Sequence, residues 1–212
     1  MGDTFSTTYR LGQTDTTASV QLQPFDLFPT RIWQGSLAAL QLRFAEWTGW
    51  VLALRAASPA AARRTNRGGW NSREMDVLEQ PLWAPLRQVV HAACATALTE
   101  MGRGGQGFQL QSWVNLHDRG GFNFLHMHEA SLLSGSFYLQ VPADSGPLCF
   151  RDPRPGVLHG IIKGSVANGH ADVHLKPSTG LLVLFPAWME HYVEPHGSDE
   201  PRICIAFNAN RS

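Results

Sequence analysis

The sequence predicts an α+β fold in which N-terminal helices pack on one face of a jelly-roll or β-sandwich core. Three observations carry this reading. Apolar residues recur at steps of three and four in two segments before Gly102. From Phe108 onward they alternate with period two instead. Gly, Pro, Asn and Asp then punctuate the second half every few residues, as turns do. A series of short strands following helices favours a layered antiparallel sheet over alternating parallel units. The 212 residues suit one domain, with 1–103 as arm and supporting helices and 104–212 as the core.

Residues 1 to about 24 are rich in Thr, Gln and Ser and read as an arm or a peripheral strand. Leu37, Leu40, Phe44, Trp47, Val51 and Leu54 form the stripe of a first helix, with Ser36 as its cap and Ser58-Pro59 as its stop. Residues 56–73 carry Pro, Gly and several arginines and read as a linker. Leu82, Leu86, Val89, Ala93, Ala97 and Met101 mark a second helix, with Pro85 in its first turn and Gly102 as its stop. His91 and Cys94 on that helix are assigned to structure. Strands are predicted near 108–117, 123–129, 132–141, 147–151, 172–176, 180–186, 191–195 and 202–209. The irregular stretch 152–171, with His159 and His170, is placed as a lid or specificity loop.

Composition excludes more than it selects. Acidic and basic residues balance at 17 each, so no basic excess points to nucleic acid and no charged tail points to a protein partner. Three cysteines at wide spacing are not a disulfide framework. The N-terminus lacks a basic and then apolar leader, and no stretch approaches a membrane span. A cytoplasmic protein is expected, and a homodimer stays open.

The chemistry concentrates in two histidine clusters, Asn123-Phe-Leu-His126-Met-His128 and Phe185-Pro-Ala-Trp-Met-Glu-His191. On a strand, residues i and i+2 share a face, so His126 and His128 are expected to converge. A third imidazole from a distant strand would complete a facial ligand set for one metal ion. Zinc can also use three histidines, whereas calcium and magnesium prefer oxygen. Ferrous iron suits imidazoles with open positions left for substrates.

Two patterns compete at this point. Gly120, then His126-x-His128, with Gly180, Pro186 and His191, resembles the cupin motifs. Cupins, however, place a glutamate where Leu132 or Leu133 stands, and Trp188 replaces a glycine. The second pattern pairs His-x-Asp/Glu and a distal His with an Arg about ten residues later. Here Arg202 follows His191 by eleven positions and opens the apolar strand Arg202-Ile-Cys-Ile-Ala-Phe-Asn208. An arginine there is costly unless paired, and a carboxylate would satisfy its fork. Period two places Arg202, Cys204, Ala206 and Asn208 on one face of that strand.

The ordered elements Leu27-Phe-Pro-Thr, Gly69-Trp70-Asn-Ser72, Trp113-x-Asn115, Asn123-x-x-His126-x-His128, Ser134-Gly135-x-x-Tyr138-Leu and Phe150-x-Asp152-Pro-Arg154 continue with Phe185-Pro-x-Trp188-x-x-His191-x-Val193-x-Pro195 and Arg202-x-x-Ile205-Ala-Phe-Asn208. Together they resemble a family of bacterial and phage 2-oxoglutarate/iron(II)-dependent oxygenases over nearly the whole chain. The resemblance implies a double-stranded β-helix, Fe(II) bound by His126, His128 and His191, and 2-oxoglutarate anchored by Arg202, with O2 as the oxidant. It implies hydroxylation or a related oxidation of a small molecule, amino acid or peptide, with natural-product tailoring as one setting. Tyr138, Asn115 and Asn208 are expected beside the co-substrate, and Trp113, Asn123 and Arg151 beside the substrate. The departure is His128, which stands where the superfamily has a carboxylate, so three neutral ligands leave the ion its full charge. A cupin-type dioxygenase or isomerase that does not use 2-oxoglutarate, and a non-enzymatic jelly-roll sensor, remain as alternatives.

Overall fold

The computed structural model describes residues 5–10, 17–23, 26–59, 65–72, 75–155 and 172–212. The chain falls into two compact units, Met1–Arg31 and Ile32–Ser212. In the first, β1 (Phe5–Arg10) and β2 (Thr17–Leu22) pair antiparallel. The expected loop over 152–171 lies, from residue 156 on and including His159 and His170, outside the described residues.

In the second unit, β3 (Trp33–Ser36) precedes a 3-10 segment at Ala38–Arg43 and α1 (Phe44–Ala57). The periodicity predicted one helix from Leu37, but its first turns are wound tighter. Helix α2 (Ala84–Glu100) ends as its sequence dictates. Gly102 takes φ +72, which only glycine adopts freely, and Arg103 and Gly102 donate to Leu98 and Thr99 in a Schellman close. Cys94 is fully buried and His91 stacks on Phe108, both in structural roles.

The remaining strands are β4 (Asn66–Asn71), β5 (Phe108–His126), β6 (Ser131–Gln140), β7 (Leu148–Arg151), β8 (Asp172–Leu175), β9 (Leu181–Pro186), β10 (His191–Val193) and β11 (Arg202–Arg211). All their pairings are antiparallel, in the order β3-β9-β6-β11-β5-β10-β7-β8, with β4 on the other edge of β5. Two expectations are corrected here. The strands predicted at 108–117 and 123–129 are one 19-residue strand. Its first half runs beside β11 and its far end beside β10, so it belongs to both walls of the curled sheet. The segment read as a linker contains β4, whose sequence Asn-Arg-Gly-Gly-Trp-Asn has no apolar alternation to announce a strand.

Alternation sorts the walls. Ile203, Ile205, Phe207 and Ala209 of β11 join Val114, Leu116, Leu133 and Phe137 against Trp47, Val51, Trp83, Leu86 and Val90 of the helical layer. The ring centroids of Trp47 and Trp83 lie 4.8 Å apart, and the Trp47 indole N–H donates to the Leu82 carbonyl at 3.2 Å. A second, smaller cluster (Tyr138, Leu148, Phe150, Val183, Phe185, Val193, Cys204) lines the inside of the curl. The inner faces of β5, β6 and β11 thereby enclose a cavity of about 710 Å³.

Candidate metal centre

Three imidazoles converge at this cavity. His126, His128 and His191 bring ligand atoms within 4.8 Å of one another, with ring centroids 4.3 to 5.3 Å apart. Register explains two of them, since His126 ends β5 directly opposite His191, which opens β10. His128 arrives differently from the expectation. The strand stops at His126, and His128 sits in the turn that follows, where its backbone N–H donates to Ala187 at 2.9 Å. Glu129 is exposed and stands outside the group.

Hydrogen bonds set the chemistry of two rings. His126 Nδ1 meets the Phe124 carbonyl at 2.7 Å and His191 Nδ1 meets the Met189 carbonyl at 2.9 Å. A carbonyl only accepts, so each Nδ1 carries the proton and each Nε2 keeps a free lone pair. Burial, and for His128 and His191 the neighbouring imidazoles, push their pKa values down, to about 4 for His128 and about 3 for His191. Burial likewise lowers His126. Neutral imidazole is the form that binds metal.

Arg202 lies on the same cavity and is 1% exposed. Its Nη1 donates to His117 Nδ1 at 3.0 Å and its guanidinium carbon sits 5.1 Å from the Tyr138 ring centroid. Its Nε has no hydrogen-bond partner, and it forms no ion pair with a carboxylate among the described residues. A buried guanidinium without a counter-charge is costly. This orphaned donor is the feature an organic acid would complete.

The other predicted residues divide. Trp113, Asn115, Asn123, Tyr138 and Asn208 all line the cavity. Burial keeps the Tyr138 hydroxyl protonated. Asn208 is held between the Ser134 hydroxyl (2.8 Å) and His128 Nδ1 (3.3 Å), so it engages a histidine rather than open space. Arg151, expected beside the substrate, is the exception. It lines a separate groove of about 380 Å³ with Phe124, Asp172 and Tyr192, and its Nε lies 3.8 Å from Asp172. The reason is parity: Phe150 points inward with His191, so Arg151 points out. Sequence reasoning missed His117 and the cavity residues Asn66, Asn71, Asp76, Ser134 and Ser136. His117 was findable, since it shares parity with Trp113 and Asn115 and faces Arg202 in the register.

The fold and site define a class, the double-stranded β-helix with three histidines placed where they could hold a metal ion. The family model described as "Putative 2OG-Fe(II) oxygenase" matches residues 111–208, the segment that carries every one of these histidines and Arg202. Over this segment the chain is similar to that family, and the match supports a 2-oxoglutarate- and iron(II)-dependent oxygenase. No curated protein sequence matches it. Among solved structures it is similar to a Pseudomonas putida prolyl-4-hydroxylase, with TM-score 0.63 and 17% identity over 86% of this chain and 94% of that one. It is also similar to HygX from Streptomyces hygroscopicus with nickel and 2-oxoglutarate bound (TM-score 0.57, 12% identity, 86% and 83% covered). A Trichoplax adhaerens prolyl hydroxylase in complex with a hypoxia inducible factor peptide aligns at TM-score 0.57 and 14% identity over 85% and 83%. At these identities the likeness is one of fold. No helix among the described residues is long and apolar enough to cross a membrane.

Proposed function

We propose that the protein hydroxylates an unactivated C–H bond of a small molecule, amino acid or peptide, with His126, His128 and His191 holding Fe(II) and Arg202 anchoring 2-oxoglutarate. One observation carries this reading: a fully buried arginine, with no carboxylate partner among the described residues, shares a cavity with three convergent neutral imidazoles. The residues fit the ion, since imidazole suits iron and the cavity leaves room beside the cluster. When bound, iron and 2-oxoglutarate would supply the oxidising power, O2 giving one atom to substrate and one to succinate while the C1 carboxylate of the co-substrate leaves as CO2.

The chain's own contribution is positioning and desolvation. Carbonyl bonds to Nδ1 lock the His126 and His191 rings with Nε2 free. His128 needs the same tautomer if its Nε2 is to bind metal, and Asn208, whose nitrogen faces His128 Nδ1 in this structure, would supply it on exchanging its amide oxygen and nitrogen. Its Oδ1 then accepts from His128 Nδ1 while its Nδ2 donates to Ser134. Arg202 offers a fixed fork to a carboxylate, with Tyr138 donating from the adjacent strand. Trp113, whose ring lies 6.1 Å from that of His128, and Phe185 wall the site with apolar surface.

The cupin alternative has no use for a buried arginine without a carboxylate partner among the described residues, and the family model matched is that of the 2-oxoglutarate oxygenases. The prolyl hydroxylase with its bound peptide and HygX with bound hygromycin B support substrates of peptide or small-molecule class. The test is anaerobic reconstitution with Fe(II) followed by 2-oxoglutarate. The visible iron-to-ketoacid charge-transfer band should grow, and air should then yield succinate. Arg202→Ala should weaken the co-substrate by about 100-fold, since a carboxylate losing a buried partner forfeits about 3 kcal/mol. Absence of the band and of succinate overturns the reading.

A further inference from the structure

We propose that the paired strands β4 and β5 form a substrate subsite that takes a ligand rich in hydrogen-bond donors (hydroxyl, amine or amide N–H), uncharged or cationic. That the ligand is a substrate rests on the oxygenase reading. The binding chemistry does not.

Register sets Asn66 opposite Asn123 and Asn71 opposite Asn115, and all four line the cavity. Three of their amide nitrogens are already engaged. Asn66 Nδ2 donates to the Trp70 carbonyl (3.3 Å), Asn71 Nδ2 to Asn115 Oδ1 (2.7 Å) and Asn123 Nδ2 to Thr65 Oγ1 (2.9 Å). The side-chain atoms of this group that are left buried without a partner are acceptors. Asn66 Oδ1 and Asn71 Oδ1 have no partner among the described residues, although the two side chains are only 4% and 7% exposed. The Asn66 orientation is fixed by chemistry, because the Trp70 carbonyl only accepts and must therefore face nitrogen. Asp76, which takes a hydrogen bond from Ser112, adds a carboxylate to the same cavity wall.

A buried acceptor without a donor costs about 1–3 kcal/mol, so two of them bordering one cavity point to a ligand that supplies the donors. The cavity is thus divided in sense. Arg202 presents donors suited to an acid, and the β4–β5 wall carries the two orphaned acceptors, suited to a donor-bearing molecule, beside the Asn115 amide. Glycine lets this ribbon form: a Cβ at Gly69 would collide with the Leu116 carbonyl, so β4 can approach β5 only without one.

The test uses ligand-observed NMR on the full chain with 2-oxoglutarate and no iron, so that failure of the oxygenase reading, scored by the charge-transfer band, is scored separately. The probes are glucosamine and triglycine amide, each beside its N- and O-methylated form. At least one donor-bearing probe should bind, and methylation should weaken it by about tenfold, the worth of one such hydrogen bond. Glucosamine binding would identify hydroxyl and amine donors, and triglycine amide binding would identify peptide N–H. Asn66→Leu should abolish the preference for the unmethylated form. Asn71→Leu serves the same purpose if Asn66→Leu does not fold, as judged by its melting temperature. Equal binding of methylated probes, no binding of either donor-bearing probe at millimolar concentration, or a folded leucine variant that keeps the preference overturns the proposal.

Discussion

Arg202 Nη1 and His117 Nδ1 stand 3.0 Å apart across the β11–β5 ladder, both essentially excluded from solvent. The imidazole can accept this bond only while neutral, and burial together with the adjacent guanidinium holds its pKa down to about 3. A neutral acceptor orients the arginine without neutralising it. The cation therefore stays available for an incoming carboxylate, which an aspartate at position 117 would pre-empt.

His117→Phe should therefore raise KM for 2-oxoglutarate by about tenfold, the cost of freeing one donor of a positioned guanidinium, while kcat changes less. His117→Gln, which keeps an acceptor, should recover most of the loss. Steady-state kinetics in 2-oxoglutarate measure both, and an unchanged KM in a folded Phe variant would remove His117 from the positioning role.

Acid should weaken the metal-free protein in a defined window. His117, His128 and His191 are held at about 3, 4 and 3, and His126 is also lowered, against an ordinary value near 6.5. Between about pH 6.5 and pH 4 the unfolded chain binds protons that the native state refuses, so stability falls as pH falls. Above that window these groups contribute no slope. Urea unfolding at stepped pH reads this directly, and a flat profile from pH 7 to 4 would contradict it.

His128→Asp should retain Fe(II), because two imidazoles and one carboxylate are a well-suited ligand set for ferrous iron, whereas His191→Ala should lose it. Metal content after anaerobic loading and desalting distinguishes the two. If His128→Asp binds no iron, the turn geometry at Ala187 suits only the longer imidazole.

Gly69→Ala should destabilise the fold by about 1–3 kcal/mol, the usual cost of forcing atoms into a packed site, because its Cβ would strike the Leu116 carbonyl. Thermal unfolding measures it. The loss should come with weaker probe binding at the asparagine wall, since the same contact sets the β4–β5 spacing.

Much of this protein is written in local pattern. Period-three-and-four stripes placed α1 and α2, and period-two alternation placed β6, β7, β9 and β11 within a few residues. The phase of β11 assigned Arg202, Cys204, Ala206 and Asn208 to one face, and all four line the cavity. These are properties of neighbouring residues, so sequence alone determines them. The histidine cluster was legible for the same reason, as an HxH pair and a distant His on apolar strands.

What only the tertiary structure decided involves groups far apart in the chain. Strand β4 exists because β5 supplies its hydrogen-bond partners, and nothing within Asn66–Asn71 announces it. His128 reaches the other two histidines through a bond to Ala187, not through strand alternation. His117 acquires its role from Arg202, 85 residues away. Arg151 leaves the site because its inward-facing neighbour Phe150 takes the inner face. Sequence determines which face a side chain takes within its own element. Which partner waits on that face is set by register between strands, a long-range pairing that no local period encodes.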